Sequence, residues 1–366
     1  MTAPFAFADA LGPEKVIEIT EPKTGLRAVL VVDNTACGPA IGGCRMAPDA
    51  SVEECARLAR AMTFKNAAAG LAHGGGKSVV FADPAMPAAR KEALIRAFAR
   101  AVGEVTSYIP GPDMGTDETA MAWTRDEIGR AVGLPREIGG IPLDEIGATG
   151  HGLAVAAEVA QDFGGPPLSG ARVAVQGYGA VGHWAARVLA AKGAVLVAAS
   201  DSRGGVHAPE GLDHAALDAL KASGRSVAET GRGRRLAAGE IIGVDCDILV
   251  PAARPDVISE DNAEDVKARL VVEGANIPAT AAAEERLAAR GVLVVPDFIA
   301  NAGGVICAAV EYHGGSEAVA FAEITEKIAR NTRETLERAR RDGISPRAAA
   351  TAMAVARVRA AMAWRR

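Results

Sequence analysis

The sequence predicts an α/β protein in which a doubly wound parallel sheet follows another α/β domain. Two observations support this prediction. The chain has 366 residues, which is more than one domain usually holds. Beyond residue 150, short apolar runs alternate with helical patterns, as in parallel sheets that carry helices on both faces. These apolar runs lie at 172–176, 194–199, 247–251, 270–274 and 292–296.

The first 133 residues predict strands followed by helices. Partial apolar alternation in 15–33 indicates two strands around a turn at Pro22–Gly25. Ser51 and Glu54 form a capping box, which begins a helix that ends near Ala69. The next predicted elements are a glycine loop at Gly74–Lys77, a strand at Ser78–Phe81, and helices at 86–106 and 116–133 that flank a turn at Pro110–Asp113. The Gly- and Pro-rich segment 134–150 marks a domain boundary, so we predict domains at 1–138 and 139–334.

Composition and cysteine usage indicate a soluble cytoplasmic protein. Apolar residues make up 49% of the chain, and the formal net charge of −5 argues against nucleic acid and anionic membranes as partners. The five cysteines are scattered without a CxxC pair, which fits neither a disulfide framework nor a zinc site. No secretory signal and no apolar run of about 18 residues is visible, so we expect no membrane partner.

The segment from Val173 to Gly182 predicts a dinucleotide site. It contains GxGxxG directly after an apolar strand and before a helical pattern. Gly177 makes the tight turn, Gly179 admits a pyrophosphate, and Gly182 lets helix and strand pack closely. An ordinary βα turn is the other interpretation of these glycines. The context favours a Rossmann-type domain with the pyrophosphate at the helix N-terminus.

An acidic residue at the end of the next strand predicts NAD rather than NADP. Asp201 lies 19 residues after Gly182, where a carboxylate can accept the ribose hydroxyls and repel a 2′-phosphate. Arg203 can instead pair with such a phosphate, and NADP therefore remains the alternative.

Two lysines and a carboxylate suggest the chemistry. Lys65 shares a helix face with apolar residues, where a snorkelling side chain is the ordinary interpretation. Lys77 closes the glycine loop, where a surface residue is the ordinary interpretation. Together with Asp113, the two lysines suit amino-acid oxidation. One cation can hold a substrate carboxylate, a lysine kept neutral by burial and a cationic neighbour can act as a base, and a carboxylate can relay protons.

Several motifs closely resemble the leucine, phenylalanine and valine dehydrogenases of the glutamate dehydrogenase superfamily. The resemblance covers nearly the whole chain. It rests on Gly38–Met46, Met62–Gly70, Gly74–Lys77, Pro112–Thr116, Ala148–Gly152, Val272–Asn276 and Pro296–Gly304. The resemblance implies two domains around a cleft, with C-terminal helices at about 335–366 packed back on the first domain. It also implies a homo-oligomer.

The resemblance further implies the reaction and the residue roles. The reaction is the NAD-dependent, reversible oxidative deamination of an L-amino acid to its 2-oxo acid and ammonia. Lys65 would bind the α-carboxylate with backbone at Gly42 and Gly43, Lys77 would be the general base, and Asp113 would shuttle the proton. The expected cofactor residues are Gly177, Gly179, Ala180, Val181, Gly182, Asp201, Ser202, Thr149, Ala252, Asn276 and Asn301; Asn301 would also lie near the substrate. No metal is expected, and His73 and His151 are interpreted as non-ligands.

Two positions favour an apolar substrate, either branched-chain or aromatic. Where glutamate dehydrogenases carry a lysine and a serine for the side-chain carboxylate, this chain has Ile41 and Ala308. A carboxylate buried without a partner costs several kcal/mol. The pocket implied by the resemblance consists of Ile41, Met62, Gly111, Val305 and Ala308.

Two alternatives stay open. A glutamate dehydrogenase would have to hold the side-chain carboxylate through another residue, such as Arg45. The segments 200–205, 209–213 and 272–276 do resemble glutamate dehydrogenases more than leucine dehydrogenases. An inactive nucleotide-binding regulator on this scaffold would be expected to lack Lys65, Lys77 or Asp113, and all three are present.

Overall fold

Five strands near the N-terminus form a mixed sheet in the computed structural model, which describes residues 5–237 and 239–365. The strands are β1 (Lys15–Glu21), β2 (Leu26–Asn34), β3 (Ala40–Met46), β4 (Gly74–Val80) and β5 (Tyr108–Pro112), in the order β1-β2-β4-β3-β5. β2 pairs antiparallel with β1 and β4, whereas β3 pairs parallel with β4 and β5. The carboxyl ends of β3, β4 and β5 therefore meet at one edge of the sheet.

Helices cover both faces of this sheet. Successive residues of β2 point to opposite faces, and the apolar residues of each face pack against different helices. Leu30 and Val32 join the larger apolar cluster, which includes residues of α2 (Ala88–Ala101) and α3 (Glu118–Ile128). Val29 and Val31 join a second cluster, which includes residues of α1 (Val52–Ala68). As predicted, α1 begins after Ser51, whose side chain accepts a hydrogen bond from the Glu54 N–H.

Two predictions for this region were wrong, and one strand was missed. Gly74–Lys77 is the buried start of β4 rather than a loop, and the predicted turn at Pro110–Asp113 begins within the strand Tyr108–Pro112. The strand β3 was not predicted at all. The strand at 74–76 lies directly against α1, so there is no space for a side chain at position 75. A Cβ on Gly75 would be 2.0 Å from the Thr63 nitrogen. The prolines of β5 are tolerated because β5 is an edge strand.

The second sheet has seven strands and the predicted parallel, doubly wound core. Its strands are β6 (Arg172–Gln176), β7 (Val195–Asp201), β8 (Gly204–His207), β9 (Arg234–Leu236), β10 (Ile248–Pro251), β11 (Leu270–Val272) and β12 (Leu293–Val295), in the order β12-β11-β10-β6-β7-β8-β9. The five strands from β12 to β7 are parallel. The antiparallel strands β8 and β9 were not predicted. The strand order reverses at β6, where such sheets bind ligands beyond their carboxyl ends.

The remaining helices are α4 (Ala148–Ala160), α5 (Ala180–Ala191), α6 (His214–Ala222), α7 (Ala281–Ala289), α8 (Asp297–Ala300), α9 (Gly303–Tyr312), α10 (Glu317–Asp342) and α11 (Pro346–Met362). In the described part of the chain, none of the helices is sufficiently long and apolar to cross a membrane.

The chain divides into two units. The first contains residues up to Leu143 together with Val305–Ala320 and the residues from Ala352 onwards, and the second contains Asp144–Gly304 and Phe321–Thr351. The chain passes from one unit to the other within α9, α10 and α11. The sequence predicted domains at 1–138 and 139–334, with the segment 335–366 packed back on the first. These bounds differ from the two units most in the C-terminal helices. The domain bounds stay a prediction.

One buried charge cluster ties α11 to the second sheet. The Arg347 guanidinium contacts Glu273 at 2.6 Å, Glu284 at 2.5 Å and Asp297 at 2.9 Å. All three carboxyl side chains are at most 6% exposed. Burial raises the pKa of Glu273 well above its ordinary value, and the neighbouring Asp297 and Glu284 raise it further against the opposing effect of Arg347. The raised pKa means that the Glu273 carboxyl contributes to stability below its unfolded-state pKa and loses that contribution as the pH rises through the raised value.

We predict that Arg347→Met lowers stability by about 3–5 kcal/mol at neutral pH, because it leaves buried carboxylates without their cation. Arg330→Met is the matched control, since Arg330 forms an exposed pair with Glu326 at 2.6 Å whose loss should cost less than about 1 kcal/mol. The measurement is the midpoint of urea unfolding followed by circular dichroism. Equal midpoint shifts in the two variants would contradict the assigned role of the cluster.

Candidate active site

The first unit brings Lys77, Asp113 and Arg45 into direct contact. Lys77 lies on β4 and is 5% exposed, Arg45 lies on β3, and Asp113 directly follows β5. Lys77 Nζ is 2.7 Å and Arg45 Nε is 3.0 Å from the same carboxylate oxygen, Asp113 Oδ2. Arg45 also contacts Glu54 at 2.5 Å. The two residues predicted as base and proton shuttle are therefore neighbours, and Arg45 is engaged with both carboxylates.

The surroundings of Asp113 keep it ionised. Burial would raise the pKa of this carboxyl group, but the Lys77 and Arg45 cations lower it below its ordinary value. The Asp113 N–H donates to Thr116 Oγ1 (3.0 Å), and that hydroxyl donates to the Cys44 carbonyl (2.8 Å). Asp113 is thus held in place by a hydrogen bond from its backbone N–H and by the ion pairs of its carboxylate.

Glycines on β3 make room for this cluster. A Cβ on Gly43 would lie 2.7 Å from Asp113 Cβ and 3.0 Å from Lys77 Nζ. A Cβ on Gly42 would lie 1.7 Å from the Gly76 carbonyl oxygen. A side chain at either position would therefore displace β4 or the charged groups.

Lys65 lies in the last turn of α1 and is only 8% exposed. The adjacent Asn66 donates through Nδ2 to the Gly74 carbonyl (2.6 Å) and the Ile41 carbonyl (3.3 Å), which ties this turn to β3 and β4. A buried lysine departs from the usual exposed position of this residue type. Met62, one turn earlier and predicted to line the pocket, is half-buried.

An apolar cluster occupies the region of the predicted side-chain pocket. It consists of Ile41, Ile109, Val132, Ala308 and Ala309, with Leu71 packed against it. Two of the predicted pocket residues, Ile41 and Ala308, are thus brought together. A Cβ on Gly111 would lie 3.1 Å from Val132 Cγ2, so Gly111 borders the cluster. Val305 is half-buried and, like Met62, is not a member of it.

The glycine turn of the second unit fits a dinucleotide. Gly177 has a φ of +94°, and a Cβ there would lie 2.8 Å from Ala253. A Cβ on Gly182 would lie 2.0 Å from the Gly177 carbonyl oxygen, which explains the close packing of α5 on β6. A Cβ on Gly179 would meet no atom within 4 Å, so this face of the turn is open. α5 begins at Ala180, followed by Val181, without a side-chain cap, which leaves its first N–H groups available to an anion.

The second unit also groups three residues predicted near the nicotinamide. Asn301 donates through Nδ2 to the Asn276 side-chain oxygen (3.3 Å) and to two adjacent carbonyls. Its own Oδ1 is buried and has no hydrogen-bond partner among the described residues. Thr149, at the start of α4, lies against the turn after Asn301, because a Cβ on Gly303 would be 3.1 Å from Thr149 Cα. A buried acceptor without a partner fits an amide or amine donor of a bound ligand.

Two other predicted cofactor residues lie at the ends of strands of the second sheet. Ala252 follows β10, and its N–H donates to the Gln176 carbonyl (2.7 Å). Ser202 is exposed in the turn between β7 and β8. Asp201, by contrast, is enclosed by donors of its own unit and contacts Lys221 at 3.1 Å.

Sequence reasoning missed several residues of these sites. Ile109 and Val132 belong to the pocket cluster, but Ile109 lies just before the predicted turn at Pro110–Asp113 and Val132 lies within the predicted helix at 116–133. Lys221 carries no motif, and only its place on α6 brings it to Asp201. His73 contacts the Pro39 carbonyl and His313, and His151 contacts Thr325; in the residues with described positions, no group of three or more potential metal ligands occurs.

Comparison with known proteins identifies the class of this enzyme. Residues 139–366 match the model of the Glutamate/Leucine/Phenylalanine/Valine dehydrogenases, and residues 13–130 match the model of the Glu/Leu/Phe/Val dehydrogenase dimerisation domain. These matches and the glutamate dehydrogenases among the relatives show that the chain is an NAD(P)-dependent amino-acid dehydrogenase that acts on CH–NH2. The chain belongs to the Glu/Leu/Phe/Val dehydrogenase family.

Similar relatives carry several substrate names. The glutamate dehydrogenase of Aeropyrum pernix is 41% identical over 83% of this chain and 77% of its own length. The hetero-hexameric glutamate dehydrogenase of Thermus thermophilus, in its Leu-bound form, has a TM-score of 0.88 and 32% identity, covering 97% of this chain and 90% of that one. The L-tryptophan dehydrogenase of Nostoc punctiforme has a TM-score of 0.72 and 26% identity, covering 96% and 97%. Relatives named for NAD and for NADP both occur.

We predict that Gly43→Ala lowers kcat about 100-fold, because displacement of a reacting group by about 1 Å costs that much. The new methyl group would press on Asp113 Cβ, Lys77 Nζ and the Pro112 carbonyl oxygen. The matched control is Gly243→Ala, where a Cβ would lie 3.4 Å from Asp265 Cβ, in ordinary contact. Amino-acid-dependent formation of reduced cofactor is measured for both variants, with circular dichroism to establish folding. A folded Gly43→Ala variant within threefold of wild type would be evidence against this geometry.

Proposed function

We propose that the chain catalyses the reversible oxidative deamination of an L-amino acid to its 2-oxo acid and ammonia. The observation that carries this proposal is the buried Lys77–Asp113 contact of 2.7 Å, shared with Arg45. A bound nicotinamide ring would accept the hydride that leaves the substrate Cα. Gly177, Gly179, Gly182 and the N-terminus of α5 would hold the pyrophosphate of that cofactor.

Lys65 holds the substrate α-carboxylate in this proposal. The Lys65 residue is only 8% exposed, on a helix anchored to β3 and β4, and a charge–charge contact in a buried environment is stronger than at a surface. Backbone groups at Gly42 and Gly43 would complete the carboxylate site. Fixed in this way, the amino acid presents its Cα for hydride loss.

Lys77 and Asp113 handle the protons. After hydride loss, the substrate is an iminium ion, and Lys77 takes a proton from the water molecule that attacks its carbon. The ionised Asp113 takes the hydroxyl proton of the carbinolamine and passes it to the nitrogen, so that the C–N bond breaks, ammonia leaves and the 2-oxo acid forms. Arg45 contacts the same Asp113 carboxylate oxygen at 3.0 Å and so helps to hold it beside Lys77.

For the substrate side chain, the relatives favour L-glutamate. This was the alternative in the sequence analysis, and the relatives support it better than the predicted apolar amino acid: a glutamate dehydrogenase is 41% identical over 83% of this chain. We propose L-glutamate as the first candidate substrate. The γ-carboxylate would then need a donor other than the side chains of Ile41 and Ala308.

An apolar L-amino acid is the second candidate, and a specific observation favours it. The cluster around Ile41 and Ala308 consists of aliphatic side chains, against which a γ-carboxylate would be desolvated without a partner. Arg45, which the sequence offered as a carboxylate holder, is engaged by Asp113 and Glu54. Similarity to an L-tryptophan dehydrogenase over nearly the whole chain also supports this candidate.

We also propose that the protein is a homo-oligomer. The match of residues 13–130 to a dimerisation domain supports this. The Thermus thermophilus enzyme is named a hetero-hexamer, which supports oligomerisation but not identical subunits. The cytoplasmic location stays a prediction, which rests on the scattered cysteines.

A substrate panel distinguishes the two candidates. The panel supplies NAD⁺ or NADP⁺ at alkaline pH together with one amino acid at a time: L-Glu, L-Leu, L-Val, L-Phe or L-Trp. Formation of the reduced nicotinamide is followed by its absorbance at about 340 nm. We expect reduced cofactor to form with at least one of these amino acids. A higher kcat/KM for L-Glu supports the first candidate, and a higher value for an apolar amino acid supports the second. Lys77→Met is the control, and it should remove turnover of every substrate. Absence of turnover across the panel in a protein that binds cofactor would instead favour an inactive regulator.

A further inference from the structure

A buried carboxylate on α9 holds the segment 129–143, which follows α3. The Glu311 side chain accepts hydrogen bonds from the Ile141 N–H at Oε2 (2.7 Å) and from the Leu134 N–H at Oε1 (3.3 Å). Glu311 is 9% exposed, and the two donor residues are also buried. A hydrogen bond to a carboxylate is stronger than one between neutral groups, so these contacts anchor the segment firmly to α9.

Backbone N–H groups are the main partners of this carboxylate. Burial raises the pKa of the Glu311 carboxyl group, and the N–H groups of Ile141, Leu134 and Gly133 oppose that effect, with a smaller contribution from Arg125. An ionised carboxylate accepts at both oxygens, which matches donors arriving at Oε1 and at Oε2. An amide in its place would present a donor to one of these N–H groups.

The anchored segment carries one side of the candidate side-chain pocket. Val132 lies two residues before Leu134 and belongs to the apolar cluster around Ile41 and Ala308. Its N–H donates to the Pro110 carbonyl of β5 (2.9 Å), and the residue is 1% exposed. The position of the Val132 side chain therefore depends on β5 before it and on Glu311 after it.

The helix that carries Glu311 forms another side of the same pocket. Ala308 and Ala309 belong to the cluster, and Glu311 follows them on α9. The hydrogen bonds of Glu311 thus fix the spacing between α9 and the segment that carries Val132. In this way Glu311 controls the size of the pocket without belonging to its apolar lining.

We propose that Glu311 is a positioning residue that sets the length of the side chain this enzyme prefers, because it holds Val132 in the pocket. Loss of its hydrogen bonds would release the segment 129–143 and enlarge the pocket. This inference rests on the proposed function, since it takes the cluster around Ile41 and Ala308 as the site of the substrate side chain. It applies to either candidate substrate.

Substrates that differ by single methylene groups measure the depth of the pocket. The apolar series is L-α-aminobutyrate, L-norvaline and L-norleucine, and the acidic series is L-aspartate, L-glutamate and L-α-aminoadipate. The measured ratio is kcat/KM for the substrate one methylene longer than the preferred one, divided by kcat/KM for the preferred one. In Glu311→Gln we expect this ratio to rise about tenfold, the lower end of the effect of one methylene in an apolar pocket.

The kinetic constants separate positioning from general damage to the enzyme. Because Lys77 and Asp113 are unchanged in Glu311→Gln, kcat for the preferred substrate should stay within about threefold of wild type, and the change should appear in KM. Circular dichroism establishes folding. If Glu311→Gln does not fold, Glu311→Asp takes its place: it keeps the charge, shortens the reach by one methylene, and should shift the ratio in the same direction.

A double-mutant cycle tests whether Glu311 acts through Val132. Val132→Ala alone should raise the ratio, and Glu311→Gln added to it should raise the ratio less than it does in wild type, because both changes release the same contact. Glu317→Gln is the matched control. Glu317 pairs with Arg136 of the same segment at 3.1 Å, at the surface, and its loss should leave the ratio unchanged.

Two results would overturn the role of Glu311. One is an unchanged ratio in a folded Glu311 variant, and the other is a double variant in which the separate effects simply multiply. Absence of turnover of both series by wild type is a different result, which would contradict the proposed function and this inference with it.

Discussion

The contact between Lys77 and Asp113 depends on three adjacent strands running in the same direction. β3, β4 and β5 deliver Arg45, Lys77 and Asp113 to one place, and the absence of a side chain at Gly43 leaves room for them. Each charged group would be costly to bury alone, and the three together offset one another. The remaining features of the first unit serve this arrangement: α1 lies close over β4 because Gly75 permits it, and the same helix carries Lys65.

The second unit provides a complementary site built by backbone geometry. Gly177 and Gly182 shape the turn, Gly179 leaves it open, and α5 begins there without a cap. Asn301 joins the loop at 274–276 to α8, and its buried Oδ1 accepts no hydrogen bond from the residues that the structure describes. The Arg347 cluster holds the same loop, because Glu273 precedes it and Asp297 accepts a hydrogen bond from the Ile277 N–H after it.

Sequence patterns predicted the elements whose signals are local. Apolar runs located the parallel strands, the capping box located the start of α1, and GxGxxG located the βα turn. Glycine and proline misled where tertiary packing overrides local preference: Gly74–Gly76 and Pro110–Pro112 form strands because neighbouring strands and α1 hold them there. The roles of Lys77 and Asp113 were inferred from a family resemblance, and only the structure joins them. The Asp201 carboxylate accepts hydrogen bonds from Lys221 and Ser226, whose positions no spacing rule predicts.

The central claim is that the Lys77–Asp113 pair transfers protons during turnover rather than only stabilising the sheet. The measurement that tests it most directly compares kcat and substrate Kd in Asp113→Asn, a change that keeps the shape of the side chain and removes its charge and basicity. We expect Kd within about threefold of wild type and a kcat lower by 10²–10⁴-fold, the range of a lost acid–base group. A folded Asp113→Asn enzyme with kcat within about threefold of wild type would contradict the claim.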